Sequence, residues 1–435
     1  MKFRTAVGLC GALAGLSGAA HAAEAPVPRY TLEDCIQSAL TRDGGRQNAL
    51  RDEEIGAARI AQVRAQVLPD LKARGAYTRL EKQDPMVFGG QTFAATPDEQ
   101  WSAGLDAEQL LYSGGSVDAA LRAARIYREE KALARRQAEA RLRRDVRLAY
   151  YDLALAQRAR DVRAASLEQL ENLVRQAEQK FAARAISEYD LLSARVRAGN
   201  ERTLYVAAER DLALARAALR DRARLPEERF TVADDLPYIP EAASLEDRLR
   251  QGVPAHWDAQ RAERDIGLRQ ADVRATQGAY APALRAVAGY GGQKPPALGF
   301  DDDGWQWGWS VGLKAEWSLW NGGRREAELR EKRLELDKAR TTREDVERAA
   351  ALEIRAAWLD MAHAATALVA ARETVGLAER GLEIARVRYD NGLATYLEFS
   401  DANLALSTAR LAEWSARRDH LAARARLDYA VGSEE

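Results

Sequence analysis

The sequence repeats itself, and the second half follows the same order as the first at a nearly constant offset. Leu32-Glu33-Asp34 matches Leu245-Glu246-Asp247, and further along Trp101-Ser102 matches Trp309-Ser310. The offset falls from 213 to 208 residues between these matches because the first half has a longer loop. Such self-similarity predicts a fold built from two equivalent units.

Each unit contains the same elements in the same order. Helical, strand and turn patterns follow one another, and residues 225–244, which contain three prolines, form a linker between the units. The predicted first repeat, 23–224, comprises a helical segment at 32–67, a strand pair at about 71–80 and 100–112, a long helix at 117–181 and a helix at 187–224. The predicted second repeat, 245–435, comprises a helical segment at 245–279, a strand pair at about 283–292 and 305–319, a long helix at 324–389 and a helix at 395–431. Breaks in the two entering segments are expected near Gly44-Gly45 and near Pro254.

The two long helices exclude a simple globular fold. Neither contains proline, and at 1.5 Å per residue each would reach about 97 Å. A helix of this length cannot wrap around one core, whereas an alanine-rich stripe favours lateral packing against other helices. We therefore expect long antiparallel coiled-coil helices.

The second strong pattern is strict alternation in the predicted strands. From Trp305 to Leu319 every odd position is apolar and every even position is polar or glycine. Trp101 to Leu111 repeats the pattern with one interruption, at Gln109. A sheet that faces lipid would explain the tryptophans between 305 and 320. A half-buried sheet of a soluble protein is the alternative. Four strands cannot close a lipid-facing barrel, so a barrel would have to be shared between copies of the chain, and three copies would give twelve strands.

The N-terminus predicts export. Residues 1–22 combine Lys2 and Arg4 with an apolar stretch and a small-residue site ending at Ala22, as in a cleavable signal peptide. Cys10 lies in a poor context for lipidation, and Cys35 is the one cysteine that would remain, so no internal disulfide is expected. The nearly balanced charge, 65 basic against 66 acidic residues, argues against a nucleic-acid partner.

The duplicated order resembles the TolC-like outer-membrane efflux proteins. It is carried by Leu68-Pro69-Asp70-Leu71, by Leu111-Tyr112-Ser113-Gly114-Gly115 and by Leu319-Trp320-Asn321-Gly322-Gly323. The resemblance implies an α+β membrane protein that forms a homotrimer, with a 12-stranded outer-membrane β-barrel continuous with a periplasmic α-helical barrel. The residues that would make the barrel-to-helix turns are Pro69, Gly114, Gly115, Pro282, Gly322 and Gly323.

The same resemblance implies a function and partners. The chain would be the exit duct of a tripartite efflux system in the outer membrane, passing drugs or metal ions outward. It would work with a periplasmic adaptor, or membrane fusion protein, and with an inner-membrane transporter such as an RND pump or an ABC exporter. The alternative is the outer-membrane component of a type I protein secretion system, and a periplasmic helical adaptor or structural coiled-coil protein is a third interpretation.

The helical tips hold the candidate site residues. By resemblance, Asp190, Glu398 and Asp401 would line the periplasmic aperture. Glu398 and Asp401 are three residues apart on one helix, so both could face the lumen as stacked carboxylate rings that select cations. A solvated helix end is the alternative.

A closed-state latch is expected beside these carboxylates. By resemblance, Tyr389 would tie the closed tips together by a hydrogen bond to Asp190. The basic residue that often joins this latch is replaced by Ala394, and a glycine expected in the first tip is Arg184, which could supply a replacement charge contact.

No residues predict catalysis, a cofactor or a bound metal. His256, His363 and His420 lack the spacing of a zinc site. The glycine-rich segment 289–294 lacks the spacing of a phosphate loop and is interpreted as the end of a strand. Asp301-Asp302-Asp303-Gly304 has no acidic residue at the closing position of a calcium loop, which favours a solvated loop.

Overall fold

A computed structural model describes residues 27–79, 81, 86–88, 91–93, 99–233, 236–294 and 304–433. The predicted signal peptide, 1–22, lies outside these residues, as do Asp301, Asp302 and Asp303. The described chain is mostly helical. It contains two repeats of the same elements, joined by a linker.

The described residues form eight helices, four in each repeat. The first repeat contains α1 (Leu32–Arg42), α2 (Gly44–Ala65), α3 (Ser116–Ala182) and α4 (Glu188–Ala223). The second contains α5 (Leu245–Ala255), α6 (Trp257–Gly278), α7 (Arg324–Asp390) and α8 (Tyr396–Ala430). The entering segment of each repeat is therefore two helices, divided at Asp43 and at His256.

A new N-cap causes each of these breaks. The Asp43 carboxylate accepts from the backbone N–H of Arg46 at 2.9 Å, which starts α2. The Nδ1 atom of His256 accepts from the backbone N–H of Asp258 at 3.3 Å, which starts α6, and Pro254 lies at the end of the preceding helix. The two breaks lie at equivalent positions of the repeats, 213 residues apart.

The long helices α3 and α7 each contain 67 residues. At 1.5 Å per residue they extend for about 100 Å. Each starts after a left-handed glycine, Gly115 or Gly323, and the two helices begin and end at equivalent positions. Equivalent ion pairs tie each long helix to its returning partner: Arg202 with Glu171 at 2.6 Å, and Arg410 with Glu379 at 3.0 Å.

The helices lie side by side in one layer. α3 packs against α2 and α4 on one side and against α6 and α8 on the other, and α7 packs against α6 and α8. The layer therefore has two edges, one formed by α2 and α4 and the other by α7. Both edges carry exposed apolar side chains, among them Ile55 and Leu214 on the first and Leu352 and Leu377 on the second.

The largest core lies midway along α3. Tyr150 of α3 packs with Cys35 of α1 and with Phe230 of the linker, all nearly fully buried. Two short parallel strands, β1 (Arg29–Tyr30) and β6 (Thr231–Val232), join the start of the chain to this linker. Burial raises the pKa of the Cys35 thiol to about 12, as expected for an inert core cysteine.

One four-stranded antiparallel sheet lies at the end of the layer where the long helices begin. It is built in the order β2 (Asp70–Arg79), β5 (Glu99–Tyr112), β7 (Ala283–Lys294), β8 (Gln306–Glu316). The last strand ends at Glu316, not at Leu319 as predicted. A small hairpin, β3 (Met86–Phe88) with β4 (Gln91–Phe93), lies inside the loop predicted between the first two strands.

Among the described helices, none has the length and apolar character needed to cross a membrane.

Candidate channel site

The predicted site residues lie at the two ends of the fold. At one of these ends, each long helix finishes in a tight turn. At the end of α3, the N–H of Arg184 donates to the carbonyl of Phe181 and the N–H of Ala185 donates to the carbonyl of Lys180, both at 2.8 Å. This pair of bonds is a Schellman ending. The tip after α7 has the same two bonds around Gly392.

Arg184 occupies a position that favours glycine. Its φ angle is 61°, and the equivalent Gly392 has a φ angle of 72°. A side chain at positive φ costs about 1 kcal/mol. Arg184, which stands where the resemblance leads us to expect a glycine, therefore has the left-handed backbone conformation that glycine favours. Its side chain is exposed at the tip.

Asp190 lies in the first turn of α4 and caps that helix. One carboxylate oxygen accepts from the Ser187 hydroxyl at 2.7 Å and from the Ser187 backbone N–H at 3.2 Å. The Ser187 hydroxyl in turn accepts from the Asp190 N–H, completing a capping box. The carboxylate is half-buried and is held in place by its own helix.

Glu398 and Asp401 lie in the first turns of α8 and have different surroundings. The Glu398 carboxylate is exposed, and its backbone N–H is capped by Thr395 at 3.3 Å. The Asp401 carboxylate accepts from Arg197 of α4 at 2.6 Å. Arg197 also donates to the Ser400 hydroxyl at 3.2 Å, so one guanidinium joins the two hairpins near their tips.

Tyr389 lies in the last turn of α7 and contacts the first hairpin. Its hydroxyl accepts from Lys180 Nζ at 3.1 Å, and its ring stacks on Phe399 with centroids 5.4 Å apart. The expected hydrogen bond from Tyr389 to Asp190 is absent among the described residues of a single chain, in which Tyr389 bonds to Lys180 and Asp190 bonds to Ser187.

An apolar contact and a polar layer lie between the hairpins. Tyr396 of α8 packs against a small cluster formed by Ala177, Leu191 and Ala194, and this burial raises the pKa of its phenol. Further along α8, Ser400, Asn403 and Ser407 are buried. Near the tips, the described contacts between the hairpins therefore include this apolar cluster and the hydrogen bonds of Arg197 to Ser400 and Asp401.

Lys180 and Arg197 were missed by the sequence prediction. Lys180 matches Arg388 at the repeat offset, so both long helices carry a basic residue just before the tip, and the alignment of the two repeats could have revealed it. Arg197 matches Ala405, so no repeat signal distinguishes it from the other arginines of α4.

At the opposite end, glycine pairs lie at the predicted barrel-to-helix turns. Gly114, Gly115, Gly322 and Gly323 all have positive φ angles, between 64° and 82°. Gly114 has a second constraint, because a Cβ atom there would lie 2.2 Å from the carbonyl oxygen of Gly278. Pro69 and Pro282 directly precede β2 and β7.

The sheet has two faces of opposite character. Register and alternation place apolar side chains on one face, where Trp309, Val311 and Leu313 are at least 70% exposed in the single chain. Charged, small and polar side chains occupy the other face. Such a sheet matches the pattern of a membrane barrel wall. Within the described part of the chain, no group of His, Cys, Asp and Glu side chains is arranged to hold a metal ion.

Comparison with known proteins gives a consistent result. A family model described as outer membrane efflux protein matches residues 36–222 and 255–433, most of the chain. No curated protein matches.

Solved structures share the fold at low sequence identity. A membrane protein from Pseudomonas aeruginosa is 21% identical, with a TM-score of 0.79 over 94% of this chain and 91% of that one. The Campylobacter jejuni CmeC outer membrane channel is 17% identical, with a TM-score of 0.78 over 92% and 85%. The open state of the Neisseria gonorrhoeae MtrE outer membrane channel is 20% identical, with a TM-score of 0.73 over 93% and 89%.

Proposed function

The chain belongs to the outer membrane efflux protein family, and from this premise we propose that it is the exit duct of a tripartite efflux system. Members of this family are non-enzymatic channels of the outer membrane. The duct would pass small toxic compounds, drugs or metal ions, and its energy would come from its partners. Residues 1–22 would be removed as a signal peptide during export.

The sheet carries this proposal. One of its faces exposes large apolar side chains, and in the described structure its outer strands β2 and β8 each pair with one neighbour. Open edges and a bare apolar face are unfavourable in water. Pairing β8 of one copy with β2 of the next would satisfy both edges, and three copies would close a 12-stranded barrel with its apolar face toward lipid.

The helical layer supports the same assembly. Its α7 edge exposes five large apolar side chains that recur on one face of the helix: Leu334, Leu352, Leu359, Leu377 and Ile384. The opposite edge exposes apolar residues of α2 and α4. Because the two edges differ, the α7 edge of one copy would dock on the α2 and α4 edge of the next copy. Such a head-to-tail contact can close into a ring. The ring would continue the barrel as a periplasmic tunnel.

We assign the periplasmic aperture to the helical tips. Asp190, Glu398 and Asp401 would place carboxylates around it, with Glu398 the most freely exposed of the three. Tyr389 and Arg184 would take part in the closed-state latch, Tyr389 through Lys180 and Arg184 through the geometry of its turn. The Arg197–Asp401 pair would hold the two hairpins of each protomer together.

The proposed partners are a periplasmic adaptor and an inner-membrane pump, an RND pump or an ABC exporter. Outer-membrane lipid would surround the barrel. Channels of this family work as trimers with such adaptors and pumps, which is the basis for the assignment here.

Two measurements test the assembly. The protein should be extracted from the outer membrane as a detergent-stable trimer, and a water-soluble monomer would contradict the proposal. Replacing Leu352 and Leu377 together with Asp should abolish the trimer. Replacing Arg340 with Asp is the matched control, because this exposed residue of α7 lies more than a quarter turn around the helix axis from both leucines.

A deletion strain tests the cargo. Sensitivity to dyes, detergents, antibiotics and divalent metals, with an unchanged set of secreted proteins, is the expected result. Loss of one or a few secreted proteins without sensitisation would instead identify the exit of a type I secretion system.

Planar bilayers test the aperture. Changing Asp190, Glu398 and Asp401 together to Ala should reduce cation preference and block by multivalent cations, since carboxylate rings concentrate cations at a pore mouth. Unchanged selectivity would show that the ring lies elsewhere.

A further inference from the structure

The polar face of the sheet carries eight charged side chains, four of each sign, near one end. Each of them lies beside a partner of opposite charge within the same chain. The pairs and their distances are Lys72–Asp70 at 2.8 Å, Arg74–Asp106 at 3.2 Å, Arg285–Glu108 at 2.7 Å and Lys314–Glu316 at 3.9 Å. We call these eight residues the charged collar.

Register places the collar on one face and at one level. Asp70 begins β2 and Glu316 ends β8, while Arg285 lies near the start of β7 and Glu108 near the end of β5. In an antiparallel sheet these positions share the same end, which here is the end that joins the helices. Space is also reserved for one of the carboxylates, because a Cβ atom at Gly289 would lie 3.2 Å from Asp106 Oδ1.

Beyond the collar, the same face carries no charged residue in the described strands. Its members there are small or neutral: Ala76, Thr78, Gln100, Ser102, Gly104, Val287, Gly289, Gly291, Gln293, Gln306, Gly308, Ser310 and Gly312. All the charge on this face is therefore concentrated in the collar, and all of it is compensated there.

We propose that the charged collar is a neutral ring in the lumen of the barrel, which lets solutes of either charge pass and leaves charge selection to the helical tips. This inference rests on the proposed function, because the polar face lines a lumen only if the chain forms an outer-membrane channel. The cargo that reaches the barrel can then be anionic, cationic or neutral.

The physical reason is the short range of a paired charge. A ring of unpaired carboxylates or guanidinium groups focuses the field in a pore and concentrates the opposite ion. Opposite charges about 3 Å apart form a dipole, whose field largely disappears within a Debye length of about 8 Å. Partly exposed pairs such as these also contribute little to stability, so selectivity is the property on which they should act.

Matched variants test the inference in planar bilayers under a KCl gradient. The background variant Asp190→Asn with Glu398→Gln removes the tip carboxylates that have no basic partner in the chain, and it leaves the Arg197–Asp401 pair neutral. In that background, Arg74→Gln with Arg285→Gln should raise the K⁺/Cl⁻ permeability ratio about twofold or more, because Asp106 and Glu108 lose their partners.

Two further variants complete the series: one removes the acidic partners, and the other exchanges the two charges of one pair. Asp106→Asn with Glu108→Gln should lower the ratio by a similar factor. Exchanging one pair, Arg285→Glu with Glu108→Arg, should leave it unchanged, since the collar stays neutral. If a double variant fails to run as a trimer on a gel, the single change Arg285→Gln replaces it. The expected shift in the permeability ratio is then half as large.

The outcomes separate the two proposals. Conducting pores whose ratio is the same in all variants would overturn the neutral collar and leave the channel function standing. Trimers that insert but never conduct, even with the change Arg197→Ala that should open the tips, would overturn the proposed function, and the collar with it.

Discussion

Arg197 and Asp401 join the two hairpins of one protomer, with Arg197 Nη1 and Asp401 Oδ1 2.6 Å apart. The arginine belongs to α4 of the first repeat and the aspartate to α8 of the second. Of the ion pairs near the tips, Arg195 with Glu178 and Arg202 with Glu171 stay within one hairpin. The Arg197–Asp401 pair thus resists a motion that the others permit, the separation of one hairpin from the other.

Replacing Arg197 with Ala should favour an open aperture. The pair is partly exposed, so its loss should cost about 0.5–1 kcal/mol in each protomer. We expect more frequent or larger open events in planar bilayers, and Asp401→Ala should act in the same direction. The matched control is Arg195→Ala, which removes a pair of similar length within one hairpin; an equal effect of that control would contradict a role specific to Arg197.

Replacing Arg184 with Gly should stabilise the first tip. The residue has a φ angle of 61°, so glycine relieves a cost of about 1 kcal/mol. The N–H of Ala185, which donates to Lys180 across this turn, should then exchange with solvent about fivefold more slowly. Gly392→Ala, at the equivalent turn, should accelerate exchange at Leu393, and no change at either turn would show that backbone strain is unimportant there.

The sequence predicted the features that depend on local pattern. Period-two alternation predicted the two faces of β8, and the glycine pairs predicted turns that the positive φ angles of Gly114 and Gly322 require. Contacts between elements were not predictable in this way. Lys180 reaches Tyr389, and Arg197 reaches Asp401, because α3 packs beside α8 and brings the two hairpins together. Spacing along the chain marks neither partner.

Local chemistry also explains where one strand ends and where one expected helix break lies. The apolar alternation continues from Glu316 to Leu319, but the strand ends at Glu316, and Trp317 instead donates from its indole to the carbonyl of Tyr280 at 3.0 Å. His256 ends one helix and starts another because its imidazole serves as an N-cap, a role that spacing does not reveal for histidine.

Alanine substitutions should distinguish the two glycine turns that precede the long helices. Gly114 and Gly322 both have positive φ angles, so Ala at either costs about 1 kcal/mol in backbone strain. At Gly114 the new Cβ would also lie 2.2 Å from the carbonyl oxygen of Gly278, whereas at Gly322 nothing lies within 4 Å. Gly114→Ala should therefore lower the melting temperature of the protein clearly more than Gly322→Ala, and equal shifts would contradict the close contact.

Asp428 should make stability depend on pH. Burial raises the pKa of this carboxyl above its ordinary value of 3.8, although nearby Arg424 acts in the opposite direction. The folded chain therefore binds this proton more tightly than the unfolded chain does. The contribution of Asp428 to the free energy of unfolding is thus largest below pH 3.8 and is lost as pH rises through the raised pKa. Asp428→Asn removes this loss, so the variant should gain in melting temperature relative to wild type across that window and keep the gain at neutral pH.

Circular dichroism of the detergent-solubilised protein over a pH series checks this, with Asp419→Asn, an exposed carboxylate on the same helix, as the control. If the melting temperatures of Asp428→Asn and wild type differ by the same amount at every pH, the Asp428 carboxylate is as well solvated in the folded protein as in the unfolded chain.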